Sequence, residues 1–438
     1  MNKNFKNKKI LIMGLGLNGG GASSAKFFYK QGSDVLVTDL KTDFQLEDSL
    51  KELKKIKAEY VLGKHREDDF KKADMIIKNP DVPNSSPYLE IARKNNIPIE
   101  TPTSLFLKTT KSFVIGVTGT KGKSTTSALI YNILKSKYKN VFLAGNIGLS
   151  PFEIIEKSQK GSYVVLELSS FELENLKQSP NIAVITNILP DHLNRYKDIS
   201  EYADSKKTIF KYQNEKNYLI LNEDNLILKN FARQAVSKII FFSAKKIDKS
   251  IKKENFKLIG ESNLSNLAAA VSVAKILKIS NSKINKAIKF FEGVPNRQEF
   301  IRNFKGVKYY NDTAATMPDA VIAAIDAFSG KFPDSKIILI CGGQNKGLRF
   351  TEMVLKIREK ISEIILFPGT ASDMIINELN GFEKIHKASS MQEAVETSYK
   401  ISKKGDIVIL SPGAASFNMF KNEFDRGSQF VKAVKELK

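Results

Sequence analysis

The chain has 438 residues, a net charge of +22 and a single cysteine, Cys341. That length allows two to four domains with ample core; one cysteine excludes an internal disulfide or a cysteine metal cluster and fits a reducing cytoplasm. No uninterrupted apolar run is long enough to span a membrane, and lysines scattered without a basic helix, an aromatic RNA-binding motif or a zinc finger argue against nucleic acid as a partner; the charge reads as that of a lysine-rich proteome, with attraction of small anionic substrates as a secondary benefit.

The chain opens with a basic stretch that runs into Ile10-Leu11-Ile12-Met13. This apolar part is too short for a secretory signal and reads as a first strand, 9–13. A turn from Gly14 to Gly19, a helix over 22–31 and a strand over 34–38 ending at Asp39 follow. Together they make a GxGxxG turn with an acid at the end of the next strand. That pattern suits a diphosphate near the backbone and a ribose or base on Asp39; the lesser reading is a tight strand–helix turn with no ligand. The segment from Pro98 to Pro102 reads as a linker.

A second region opens with the apolar strand 113–117, a glycine-rich turn and a helical pattern over 126–134. Strands over 163–168, 183–186, 218–221 and 239–242 and an alanine-rich helix over 264–277 come next. A third region starts near Val294-Pro295, with strands over 308–310, 336–340, 363–367 and 406–410 and helices over 319–328 and 417–434. Alternation of strand and helix in all three regions predicts an α/β fold of parallel sheets covered by helices. The expected domains are 1–101, 102–293 and 294–438.

The most informative residues are Gly119, Thr120, Lys121, Gly122, Lys123, Ser124 and Thr125, between the strand and the helix. Glycines turn backbone N–H groups toward an anion, the helix N-terminus adds positive potential, and Lys123 reaches terminal phosphates. A hydroxyl from Ser124 or Thr125 can hold magnesium. Val117 stands where the standard Walker pattern has its first glycine, so this is a shorter form. Glu167 closes a neighbouring strand, where a magnesium ligand belongs. Of three histidines, His65, His192 and His386, only His192 follows an acid at a strand end, which makes it the best ligand or acid–base candidate. Lys206 is one lysine among many. Asn263 and Asn266 share a helix face. Asp312, in Asn311-Asp312-Thr313, the turn from Gly342 to Gly347 and that from Ser411 to Phe417 end three strands of the third region and read as the rim of a site.

Together these motifs resemble the Mur ligase family over nearly the whole chain: the loop 119–125, Gly145-Asn146-Ile147-Gly148, Glu167-Leu168-Ser169-Ser170-Phe171, Asp191-His192-Leu193-Asn194-Arg195, the segment 260–266, and Phe291 to Arg297. The resemblance implies three domains: an N-terminal Rossmann-like domain for a UDP-linked substrate, a central P-loop-type ATPase domain, and a C-terminal Rossmann-like domain for an amino acid. It implies an ATP-dependent amide ligase of peptidoglycan precursor synthesis, acting through an acyl phosphate. The signals at 311–316, 342–346 and 411–417, with Arg426-Gly427, are similar to those of the branch that adds D-glutamate to UDP-N-acetylmuramoyl-L-alanine.

Residue by residue, the resemblance places ATP on Gly119 to Thr125, Asn263, Asn266, Arg297 and Asp312. It places the UDP substrate on Gly14, Leu17, Asn18, Asp39, Asn79, Asn146 and Ser169, and D-glutamate on Thr316, Lys346, Ser416 and Phe417. Lys123, Glu167, His192 and Lys206 are implied as catalytic. Two magnesium sites are implied on Ser124, Glu167, His192 and a carbamoylated Lys206, and Val294 to Asn296 as a hinge. Ser262 and Asn296 stand where the family usually has histidine, Asn345 where it often has aspartate, Ala314 in place of a lysine and Glu172 in place of a glutamine. The enzyme is expected to be a cytoplasmic monomer with small-molecule partners only. Open alternatives are another amino-acid-adding Mur ligase, a folylpolyglutamate-type ligase, an NAD-dependent oxidoreductase with an accessory phosphate loop, and a non-catalytic nucleotide-dependent binding protein.

Overall fold

A computed structural model describes residues 5–17, 19–191, 195–416 and 419–438. The chain falls into two compact units, Met1–Ile251 with Ser265–Ile284, and Lys252–Leu264 with Asn285–Lys438. The helix Glu261–Ile276 contains one of the boundaries.

The first unit contains two parallel sheets. One runs in the order Glu59–Leu62, Asp34–Asp39, Lys9–Met13, Met75–Lys78, Ile99–Glu100. Its central strand shows why the apolar run is continuous. Ile10 and Ile12 join a cluster with Phe27 and Phe28, while Leu11 and Met13 face Phe70 and Leu89 on the other side. A strand covered on both faces needs apolar residues at every position. The segment expected to be a linker is structured instead. Ile99–Glu100 pairs with Met75–Lys78, and Thr101 and Ser104 form a reciprocal capping box at the start of the helix Pro102–Thr109. Proline suits the first turn of a helix, where its missing N–H is not needed.

The second sheet has the order Lys238–Phe242, Tyr218–Asn222, Ile182–Ile185, Phe113–Thr118, Tyr163–Glu167, Val141–Gly145. The two sheets share an apolar seam: Phe27, on the helix Gly20–Lys30, stacks on Phe152 with ring centroids 4.6 Å apart. Helices this short are marginal on their own in water, so apolar burial at such a seam adds to their stability.

The second unit has one sheet, in the order Glu299–Phe304, Val307–Asn311, Ile407–Leu410, Ile337–Gly342, Glu363–Phe367, Ile385–Lys387. Its first pair is antiparallel, contrary to the all-parallel expectation. The reason is local: Lys305 and Gly306 both have positive φ, 48° and 89°, which is the geometry of a tight hairpin. The last helix also starts later than expected. It spans Glu423–Glu436, and the Asn422 side chain accepts from Asp425 N at 2.9 Å to cap it. Among the described residues, no helix is long and apolar enough to cross a membrane.

Candidate functional site

The phosphate loop joins Phe113–Thr118 to the helix Lys123–Lys135. Gly119 and Gly122 have φ of 143° and 83°, and a Cβ at either would collide, at Gly119 with Thr186 Oγ1 and at Gly122 with Asn266 Oδ1. Only glycine fits the turn. The loop is held from below by the end of the adjacent strand. Thr120 N donates to Asn187 O at 2.9 Å, Lys121 N to Asn187 Oδ1 at 2.9 Å, and Thr186 Oγ1 to Lys121 O at 2.6 Å. Lys123 Nζ donates to the Gly119 and Thr120 carbonyls at 2.9 and 3.0 Å, so the cation is folded over the loop.

Ser124 Oγ donates to Glu167 Oε1 at 3.2 Å, and both residues are buried. Parallel register brings them together, because Val117 pairs with Glu167 across two neighbouring strands. Lys206, on the helix Ile199–Lys211, is only 1% exposed. Its ammonium lies 4.6 Å from the Tyr202 ring centroid, and Tyr202 in turn sits 3.2 Å from Thr120 through its hydroxyl. Burial, helped by the nearby Lys123 charge and opposed by Asp191, pushes the Lys206 amine well below the usual lysine range. The packing therefore directs one lysine of many at the phosphate loop. Lys207 instead pairs with Asp204 at 2.7 Å.

Two neighbours of this site were not among the expected site residues. Glu172 is buried; its carboxylate accepts from Thr103 Oγ1 at 2.9 Å and from Ser169 N at 2.8 Å. Burial, with the Glu167 charge adding to it, pushes its pKa up to about 7. Glu174 accepts from Arg195 Nη2 at 2.9 Å and from Tyr196 at 2.8 Å. Asn146 N donates to Glu167 O at 3.2 Å, which puts Asn146, Glu167 and Ser169 on one sheet edge.

At the carboxyl edge of the first sheet, the structure brings Gly14, Asp39 and Asn79 together. Asp39 Oδ2 accepts from Gly16 N at 3.0 Å and Oδ1 from Lys41 N at 2.9 Å, so the acid shapes the turn that it borders. Asn79 Nδ2 donates to Gly14 O at 3.4 Å, and Leu17 is exposed beside them. Asn18, His192 and Phe417 lie outside the described residues.

In the second unit, the three polar turns meet because their strands are neighbours. Gly413 N donates to Ala315 O at 2.8 Å, and Gln344 and Ala415 exchange backbone hydrogen bonds. The buried Arg426 ties two of the turns, donating to Thr313 O at 3.0 Å and to Ala414 O at 3.2 Å. Ser416 is buried, Thr316 half-buried and Lys346 exposed. Asp312 accepts from Ser411 Oγ at 2.9 Å and from Gln298 N at 3.1 Å; burial pushes its pKa up to about 7, against the pull of the exposed Arg297. Asn263 Nδ2 donates to Ile259 O at 2.7 Å and to Gln298 at 3.3 Å, while Asn266, in the first unit, accepts from Thr126 at 3.2 Å.

Comparison with known proteins agrees with this layout. Residues 8–101 match the Mur ligase MurD-like N-terminal domain, 117–274 the Mur ligase middle domain, and 296–413 the Mur ligase glutamate ligase domain. The UDP-N-acetylmuramoylalanine–D-glutamate ligase of Borreliella afzelii (strain PKo) is 39% identical, over 99% of both chains. That of Clostridioides difficile (strain 630) is 37% identical, over 99% of this chain and 100% of its own. Among solved structures, the UDP-N-acetylmuramate-alanine ligase of Thermotoga maritima superposes with a TM-score of 0.65 at 21% identity, over 99% of this chain and 100% of the other, a likeness of fold. With matching domains in the same order along the chain and relatives of this identity over its full length, the chain belongs to the Mur ligase family.

Proposed function

We propose that this protein is an ATP-dependent ligase that joins the amine of D-glutamate to the carboxylate of UDP-N-acetylmuramoyl-L-alanine, a cytoplasmic step of peptidoglycan precursor synthesis. The observation that carries the reading is the phosphate loop with Ser124 hydrogen-bonded to Glu167 at its mouth. The residues present fit both ATP and magnesium. The positive φ of Gly119 and Gly122 gives the tight turn between strand and helix that a phosphate chain needs, and a hydroxyl beside a carboxylate is the hard oxygen set that magnesium selects. The names of the relatives, all D-glutamate ligases at 32–39% identity, support the choice of substrates.

A carboxylate does not condense with an amine in water unless it is activated. Bound ATP supplies its γ-phosphoryl group to the substrate carboxylate with ADP as the leaving group, and the amine then attacks the acyl carbon, forming the amide as phosphate leaves and the amine loses a proton. Lys123 neutralises charge on the transferring group, and the backbone of Gly119 to Thr125 holds the phosphate chain. Ser124 and Glu167 would hold one magnesium ion, and His192 with Lys206 a second. Lys206 fits carbamoylation because its burial favours the neutral amine, the form that attacks carbon dioxide and loses a proton. The carbamate would put a negative charge where a second cation needs one.

The remaining assignments rest on the resemblance to the family. Residues 1–101 form the UDP-substrate domain, with Gly14, Leu17, Asn18, Asp39 and Asn79; Asn146 and Ser169 reach the same substrate from the ATP domain, 102–293. Asn263, Asn266, Arg297 and Asp312 serve ATP. Thr316, Lys346, Ser416 and Phe417 serve D-glutamate in the domain 294–438. The protein is taken to act as a monomer. The test is phosphate release from ATP with and without UDP-N-acetylmuramoyl-L-alanine, across a panel of amino acids. Release should require the UDP substrate and be fastest with D-glutamate; faster release with a different amino acid, or release without the UDP substrate, overturns the reading.

A further inference from the structure

The loop after Met75–Lys78 and the turn after Tyr163–Glu167 belong to different sheets, yet one carboxylate fastens them. Glu174 Oε2 accepts from Arg195 Nη2 at 2.9 Å and from Asn84 Nδ2 at 3.3 Å, and Oε1 accepts from Tyr196 OH at 2.8 Å. Arg195 completes the bridge. Its Nη1 donates to Asp81 O at 3.0 Å, and its guanidinium lies 4.1 Å from the centre of the Phe171 ring. The side chains of Glu174 and Arg195 are only 15% and 18% exposed, so water screens the pair little.

Each end of the bridge sits next to a residue that we assign to the UDP substrate. Asp81 and Asn84 lie in the loop that begins at Asn79, and Asp81 N donates to Asn79 Oδ1 at 3.1 Å. Glu174 is the C-cap of the short helix Ser170–Leu173, of which Ser169 is the N-cap. The loop is stiff within its own domain. Lys78 Nζ donates to Val82 O at 2.6 Å and Arg93 Nη2 to Asn84 O at 2.7 Å. A stiff loop moves as a body, so its position depends on what holds its far side. Lys78 is buried; the charges of Glu174 and Asp81 offset part of its burial, while those of Arg195 and Arg93 add to it.

We propose that Glu174 is a positioning residue for the UDP substrate, holding Asn79 and Ser169 at the spacing that one ligand spans. The inference rests on the function proposed above. The experiment measures Kd and KM for UDP-N-acetylmuramoyl-L-alanine, and separately Kd for ADP with magnesium, in wild type, Glu174→Ala, Glu174→Gln, Asn84→Ala and the double variant Glu174→Ala/Asn84→Ala. Glu174→Ala should raise both constants for the UDP substrate about tenfold or more and leave ADP affinity within about twofold. Glu174→Gln, which keeps an acceptor for Tyr196, should fall between. Asn84→Ala should cost less than Glu174→Ala and add nothing to it, because both break the same bridge. UDP-substrate constants within twofold of wild type in Glu174→Ala, or an equal loss of ADP affinity, overturn the proposal. If Glu174→Ala does not fold, unchanged constants in both Glu174→Gln and Asn84→Ala overturn it just as directly. A wild type that binds ADP but not the UDP substrate overturns the proposed function itself, and this inference with it.

Discussion

Ser124 Oγ and Glu167 Oε1 lie 3.2 Å apart, one at the mouth of the phosphate loop and the other at the end of the neighbouring strand. Neither is exposed, and parallel pairing of Val117 with Glu167 fixes their spacing. Glu167→Gln keeps the size and an acceptor for Ser124 but removes the charge. It should lower kcat at least about a hundredfold and raise the magnesium concentration needed for half-maximal rate, with little change in Tm. A magnesium titration of the rate checks this; an unchanged magnesium requirement would remove Glu167 from the metal site.

Lys123→Ala should abolish turnover and leave the fold intact. The side chain donates to two loop carbonyls, so its removal costs on the order of 1 kcal/mol of stability, whereas the loss of charge at the transferring phosphoryl group costs at least about a thousandfold in rate. Thermal melting and steady-state ATP turnover separate the two effects. Near-normal product formation would sink the phosphate-loop assignment.

Asp39→Ala should weaken binding of the UDP substrate and spare ATP. The structure adds a reason beyond direct contact: the carboxylate holds the turn through Gly16 N and its own through Lys41 N. Asp39→Asn keeps one acceptor oxygen and should lose less. Titration of both nucleotides is the check, and a loss of ATP affinity or measurable NAD binding by the wild type would contradict it.

Lys206→Ala should be nearly inactive and partly rescued by short carboxylic acids, which replace the carboxylate of a carbamate. Lys207→Ala should remain close to wild type, since Lys207 pairs with Asp204 at a more open position. Assays of both variants with and without acetate decide the matter. Equal loss in both, or full activity in Lys206→Ala, would place the carbamate on the wrong residue.

Glu172 predicts a pH dependence of stability. Its pKa is about 7 in the folded chain against about 4.5 unfolded, so between these values the folded state holds a proton that the unfolded state has lost. The contribution to stability from this group is therefore greatest below pH ~4.5, declines as pH rises toward 7 and is flat above. Glu172→Gln removes the ionisation while keeping an acceptor for Thr103 or Ser169. At pH 8 it should be more stable than wild type by on the order of 1–3 kcal/mol, with the gap closing toward pH 5. Denaturant melts at the two values measure it; a gap that does not depend on pH would show that the acid is not neutral when buried.

The sequence by itself determined the phosphate loop, the apolar strands of all three sheets' centres and the alternation that makes them parallel. These signals are short in range. A glycine-lysine-hydroxyl turn between a strand and a helix needs no distant residue to be recognised, and a strand buried on both faces must be apolar throughout. Pro98 to Pro102 and Glu299–Phe304 were illegible for the opposite reason. A two-residue edge strand and a half-buried hairpin carry almost no periodic signal, and pairing partners decide them. The larger difference concerns charge. Lys206 and Lys207 are equal in the sequence, and only the packing of their helix against the central sheet buries one amine near Lys123 while the other meets Asp204. Glu172 and Glu174 are likewise two acids on one short turn. Tertiary structure makes the first a buried acid of raised pKa and the second a bridge to Arg195, because desolvation and hydrogen-bond partners come from residues far away in the chain.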